Sequence, residues 1–219
     1  MTAAAHPWLR PPHLSEQRRL KHRIAATARR LVEQIALMDV ARADPEALHA
    51  VDRASRDLLE LVSSLPSLAS VGGPFASPED APLVERGPIS GLCNALAPPL
   101  IMEQPEEGAT TVRATAVFSR AYEGPPNMVH GGALLAAFDE VLAFGQVLSG
   151  HIGMTGTITV TLLGPVPIGE PVVFEAGPSN VEGRKTMVWA TASVNGRVAA
   201  EATGVCIQPR AVPPPSGHR

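Results

Sequence analysis

Aromatic residues make up 4% of this 219-residue chain. Its interior must therefore be built mainly from Ala, Val, Leu and Ile, which the 45% hydrophobic fraction supplies in full. Cysteine is scarcer still. Cys93 and Cys206 are too few for a disulfide framework and lack the paired spacing of a zinc site, so both are expected reduced and buried, with no metal bound. No stretch approaches the ~18 uninterrupted apolar residues a membrane helix needs, and the start MTAAAHPWLRPPHL has no apolar signal core. A cytoplasmic protein without a membrane span is the expectation. An Arg-rich, acid-poor beginning also has the look of an organellar transit peptide, but Pro7, Pro11 and Pro12 and the ordered pattern behind them argue against it.

No large excess of either sign of charge exists, with 18 Lys and Arg against 21 Asp and Glu and a net of -3, which removes any general case for nucleic acid or an anionic membrane as partner. The distribution is uneven. Residues 1–30 hold Arg10, Arg18, Arg19, Lys21, Arg23, Arg29 and Arg30 against Glu16 alone, so the basic arm could steer an anion.

The length suits one domain of ordinary size with an appendage. Leu20, Ile24, Leu31, Ile35 and Met38 recur at helical spacing, and after the Asp44-Pro45 start signal Leu48, Val51, Leu58, Val62 and Leu65 do the same up to Pro66. A helical hairpin is expected within a 1–75 extension, packed on the main domain or on a partner subunit. Gly72 to Pro88 reads as a linker, a main domain is expected over 76–210, and residues 211–219 read as a tail.

Within the main domain, Thr111 to Ala121 (TVRATAVFSRA) alternates loosely as a half-covered strand. Thr155 to Leu162 alternates strictly, which places Thr155, Thr157, Thr159 and Thr161 on one face. Val172 to Ala176 is a further short strand, and Thr186 to Val194 and Arg197 to Gln208 flank Asn195-Gly196, a strong hairpin signal. Between the first strand and the rest lies HGGALLAAFDEVLAFGQVLSG, a helix apolar nearly all round. The expected class is α+β: an antiparallel sheet wrapped around one long helix, its other face turned to water or another protomer.

That helix carries the candidate chemistry. Its first amides lack intrahelical partners and sit at the positive end of the helix dipole, and Gly131 and Gly132 let a ligand oxygen approach them closely. Between Ala133 and Ser149 the only charges are Asp139 and Glu140. Asp139 is the expected buried, reactive carboxylate, with hydroxyls such as Thr155 and Thr157 to hold it, and Glu140, turned roughly 100° away, is the bland member. Eight residues separate Gly131 from Asp139, about 12 Å along a helix axis. If both act on one carbonyl, they come from two antiparallel helices and hence two copies of the chain.

The pattern VHGGALLAAFDE, followed by TGTITVTLLGPVPIGEP and VEGRKTMVWATASVNGRVAAEATGVCI, resembles the hotdog-fold acyl-CoA thioesterases, in particular the PaaI-like branch and relatives with an N-terminal extension. The resemblance covers roughly residues 88 to 208. It implies hydrolysis of an acyl-CoA thioester to free acid and coenzyme A by a homodimer or dimer of dimers, with no cofactor. By the same resemblance Asp139 is the catalytic carboxylate, acting as nucleophile or as base for water. Gly131 is the oxyanion amide from the other subunit, His130 holds the turn or polarises the thioester, and Thr155 assists. Gly132, Asn127 and Thr157 fall among the substrate-binding positions, and Arg184 and Lys185 match the basic segment that meets nucleotide phosphates. Gly124 stands where some relatives carry an Asn, and Leu162 where an aromatic is common. The alternative is a non-catalytic acyl-CoA-binding or protein-interaction module of the same fold. Hydratase chemistry fits less well, because it needs a His-centred acid-base pair. GPISG at 87–91 has the wrong spacing for a serine-hydrolase elbow, His151 reads as a loop residue, and no HExxH, Walker A or dinucleotide fingerprint is present.

Overall fold

The computed structural model describes residues 14–66 and 83–210. The tail and most of the expected linker lie outside the described residues. Helix α1 (Glu16–Ala36) starts at Ser15, whose hydroxyl accepts the Arg18 amide, and helix α2 (Pro45–Ser63) starts at Asp44, which accepts the Glu46 amide ahead of a first-turn proline. Both helices stand where their periodicity put them. Only Ala25 of α1 is buried and no residue of α2 is, so Leu58 and Val62 of its apolar stripe, and Leu65 just beyond its end, stay exposed.

After a short helical turn α3 (Leu83–Arg86), the main domain lays down β1 (Ile101–Met102), β2 (Val112–Val117), helix α4 (Gly131–Val147), β3 (Met154–Leu162), β4 (Pro171–Glu182), β5 (Lys185–Val194) and β6 (Arg197–Ile207). The six strands form one antiparallel sheet in the order β1-β2-β4-β5-β6-β3. Asn195 and Gly196 both take positive φ, 51° and 75°, the conformation a two-residue hairpin turn requires. Helix α4 lies on the sheet: Phe138 meets Phe174 edge-on at 5.5 Å, and Leu134, Ala137, Val141 and Leu142 are buried with Val172, Val188, Ala190 and Ala202. Gly145 lets the helix backbone approach β4, since a Cβ there would come within 3.0 Å of the Gly177 nitrogen.

Three details depart from the sequence expectations. The strand predicted to end at Ala176 runs on to Glu182, because a register shift between Pro178 and Asn180 absorbs the proline that would otherwise break the ladder. A second shift falls between Thr155 and Thr157, at Gly156. It puts Thr155 opposite the buried Cys206, on the helix side, while Thr157, Thr159 and Thr161 pair with Val205, Thr203 and Glu201 on the other side. The four threonines thus do not share one face. Third, α4 is not covered all round. Gly132, Leu135 and Asp139, spaced three and four apart, form one exposed stripe along it, with Leu135 42% exposed.

Candidate active site

The segment leading into α4 is anchored before the helix begins. Asn127 adopts φ 60°, donates its amide to the Glu123 carboxylate, and accepts Arg120 Nη2 at 3.1 Å, while Glu33 of α1 accepts the Arg120 amide at 2.9 Å. The Asn127 amide and Arg120 hold the Glu123 carboxyl below its ordinary range. Val129 and Ile168 then tie this segment to the loop between β3 and β4 through the Val129 N–H to Val166 carbonyl (2.8 Å) and the Ile168 N–H to Asn127 carbonyl (3.0 Å). In this arrangement Asn127, expected to bind substrate, uses its carboxamide oxygen to brace the turn.

His130 is the N-cap of α4, with Nδ1 accepting the Gly132 amide at 3.0 Å. An accepting Nδ1 requires the proton on Nε2. The ring sits between two glycines: a Cβ on Gly124 would come within 3.2 Å of His130 Cβ, and one on Gly132 within 3.0 Å of Nδ1. Glycine at 124 is thus the residue the close packing demands. The cap occupies the amide of Gly132, one of the expected substrate-binding residues, whereas the Gly131 amide has no hydrogen-bond partner among the described residues. Replacing His130 with Ala should cost about 1 kcal/mol through loss of the cap, and Asn should restore most of it, as read by urea unfolding.

Asp139 is exposed, not buried as its apolar surroundings suggested. A helix on a sheet leaves one line of positions uncovered, and residue 139 falls on it with Leu135. Asp139 nevertheless has a defined neighbourhood. Burial and then the nearby Asp139 carboxylate push the Cys206 thiol up, while a hydrogen bond with Thr155 acts the other way. Asp139 and Thr155 therefore converge on Cys206 at the open margin between α4 and β3.

Glu140 is the residue the sequence undervalued. It is half-buried, and the Ser90 hydroxyl donates to its Oε1. Burial raises its pKa above the ordinary 4.5, the Ser90 hydrogen bonds oppose this, and Asp139 adds to the rise. A carboxyl raised in the folded state favours folding fully at pH below its unfolded value, and that contribution is lost as pH rises through the folded value. Glu140→Gln, which can still accept from Ser90, should accordingly raise the melting temperature at neutral pH and lose that advantage in acid, measured by thermal scans across pH. Only the distant Ser90, on the loop before β1, could have signalled this pairing.

The remaining expected residues lie elsewhere. Thr157 faces away from the helix by the shift at Gly156. Arg184 and Lys185 are exposed at the β4–β5 hairpin, where Arg184 Nη1 donates to the Gln208 carbonyl at 3.0 Å. A cavity of about 350 Å³ opens between α1 and the main domain, lined by Arg29, Arg30, Leu96, Pro98 and Tyr122, away from Asp139. Arg29 there is fixed by the Leu92 and Asn94 carbonyls.

Residues 126–196 match the family model of the thioesterase superfamily. A crystal structure of a thioesterase superfamily protein aligns with 90% of this chain and 97% of its own at 26% identity and a TM-score of 0.73, so its likeness reaches beyond the sheet and α4. The acyl-coenzyme A thioesterase THEM4 of Xenopus laevis is 38% identical over 64 residues, 29% of this chain. The chain spans 28% of that relative's length. The segment from Pro126 to Gly196, which contains the α4 cap, the exposed Asp139 and β3, thus matches the thioesterase superfamily, and the sheet-on-helix architecture around it is the hotdog fold.

Proposed function

We propose that this protein is an acyl-CoA thioester hydrolase whose active unit is a homodimer, each site joining Gly131 of one protomer to Asp139 of its partner. The observation that carries the reading is the open stripe Gly132, Leu135 and Asp139 beside β3, a nine-residue edge strand with half-covered Ile158 and Val160. A long edge with no neighbouring strand among the described residues, beside an exposed leucine, invites pairing with a second copy. Leu135 is midway between Gly131 and Asp139 in sequence. A two-fold axis passing there would set the two α4 helices antiparallel, with the amide of one opposite the carboxylate of the other.

In this arrangement the thioester carbonyl accepts the Gly131 N–H, where the helix dipole favours the developing oxyanion. Asp139 either attacks the carbonyl carbon or takes a proton from the attacking water, with the Thr155 hydroxyl on the helix side of β3 assisting. The C–S bond breaks, the CoA thiolate takes up a proton, and water supplies the oxygen of the released acid. His130 holds the Gly131 amide in place by capping, and its Nε2–H remains as a second donor. Arg184 and Lys185 meet the nucleotide phosphates at the exposed hairpin.

Free-thiol release across short, long and aryl acyl-CoAs is the test. Turnover on at least one class is expected; tight CoA binding with no turnover on any would favour the non-catalytic binding module instead.

A further inference from the structure

His22 of α1, Glu85 of α3 and Cys93 in the turn after it place one nitrogen, one oxygen and one sulfur within 4.8 Å of one another. His22 Nε2 is 3.3 Å from Glu85 Oε1, and Cys93 Sγ is 3.7 Å from Glu85 Oε2. Tetrahedral zinc with ordinary bond lengths separates N and O ligands by about 3.4 Å and S and O ligands by about 3.6 Å. The nitrogen–oxygen edge, through Oε1, already has this length; the sulfur contact is with the other oxygen, Oε2, so a small carboxylate or thiol movement within the 4.8 Å cluster completes the set. The Glu85 side chain is only 4% exposed, yet its Oε1 and the facing His22 Nε2 are both buried without a hydrogen bond among the described residues. Two such atoms facing each other are satisfied by a proton or a metal ion shared between them, and the neighbouring Cys93 sulfur adds a third ligand atom that favours the metal.

We propose that His22, Glu85 and Cys93 form a zinc site that clasps α1 to the main domain. Thiolate, imidazole and carboxylate together select zinc over the hard cations, which prefer oxygen alone. Glu85 Oε1 faces the metal. Its Oε2 stays with Arg18 Nε at 3.1 Å, an outer contact that orients the carboxylate and offsets the negative charge of two anionic ligands. Three protein ligands leave a fourth position for water. The site is cryptic in sequence because its ligands are 63 and 8 residues apart, come from three separate elements, and involve the cysteine expected to be an inert buried thiol.

The test begins with full-length protein stripped by chelator and titrated with zinc against a chromophoric competitor, then with Co²⁺ as a spectroscopic substitute. About one tightly held zinc per chain, a higher melting temperature on zinc addition, and a thiolate-to-Co²⁺ charge-transfer band are expected. Cys93→Ser should abolish that band although Cys206 remains, and Cys93→Ser and His22→Gln should each weaken zinc binding at least about tenfold. Sub-stoichiometric zinc, a Co²⁺ spectrum without the thiolate band, or binding unchanged in both variants overturns the site and leaves His22 and Glu85 as an ion pair around a proton. None of these readouts depends on thioester hydrolysis.

Discussion

Asp139→Asn should lower kcat for thioester hydrolysis by about a thousandfold while leaving CoA affinity within a factor of two or so. The substitution preserves size and removes only the charge and basicity. Because Asp139 is exposed on the open stripe of α4, it has no folding role for the loss to be confused with. Unchanged melting temperature with collapsed turnover is the signature of a group used in the transition state. Steady-state kinetics with thiol detection, alongside calorimetric titration with CoA, reads both quantities. A kcat within tenfold of the parent would remove Asp139 from the chemistry.

Leu135→Arg should produce a folded monomer with no measurable hydrolysis. Leu135 is 42% exposed and belongs to none of the core contacts, so a charged side chain is tolerated by the isolated protomer. Across a two-fold axis the same position would meet itself, and two guanidinium groups would be brought together in a low-dielectric contact. Sedimentation velocity should show loss of the dimer, and circular dichroism should show an intact fold. A Leu135→Arg protein that stays dimeric moves the axis elsewhere and undoes the pairing of Gly131 with Asp139.

The fold was readable in the sequence wherever a local rule had no competitor. Asn195-Gly196 can hardly be anything but a tight hairpin, and Asp44-Pro45 opens a helix because cap and first-turn proline agree. The errors came where a long-range packing event reversed a local rule. Strict alternation put four threonines on one face until one extra residue at Gly156, lodged against Ile207, turned Thr155 toward the helix. The strand was legible only as far as Ala176 because the register shift beside Pro178, which lets it run on, has no sequence mark. The apolar run around Asp139 implied burial on every side, but a single sheet covers only part of a helix, and which of two adjacent acids faces outward depends on helix phase. Asp139 and Glu140 exchanged places for that reason. His130 and Gly131 were legible as a helix start, yet the division of labour between the two glycine amides needed the Nδ1 contact to be seen.

A mixing experiment tests the shared site most directly. Gly131 is the first residue of α4, a position that tolerates proline, and His130 already has the extended ψ of 132° that a following proline requires. Gly131→Pro therefore deletes the amide with little cost to the helix. Paired with Asp139→Asn, it gives two proteins that are each inactive. If each site draws its amide and carboxylate from different protomers, every mixed dimer regains one intact site, and an equimolar, fully exchanged mixture recovers about a quarter of the parent activity. If each site lies within one chain, the mixture stays as inactive as its components, and the shared-site account is wrong.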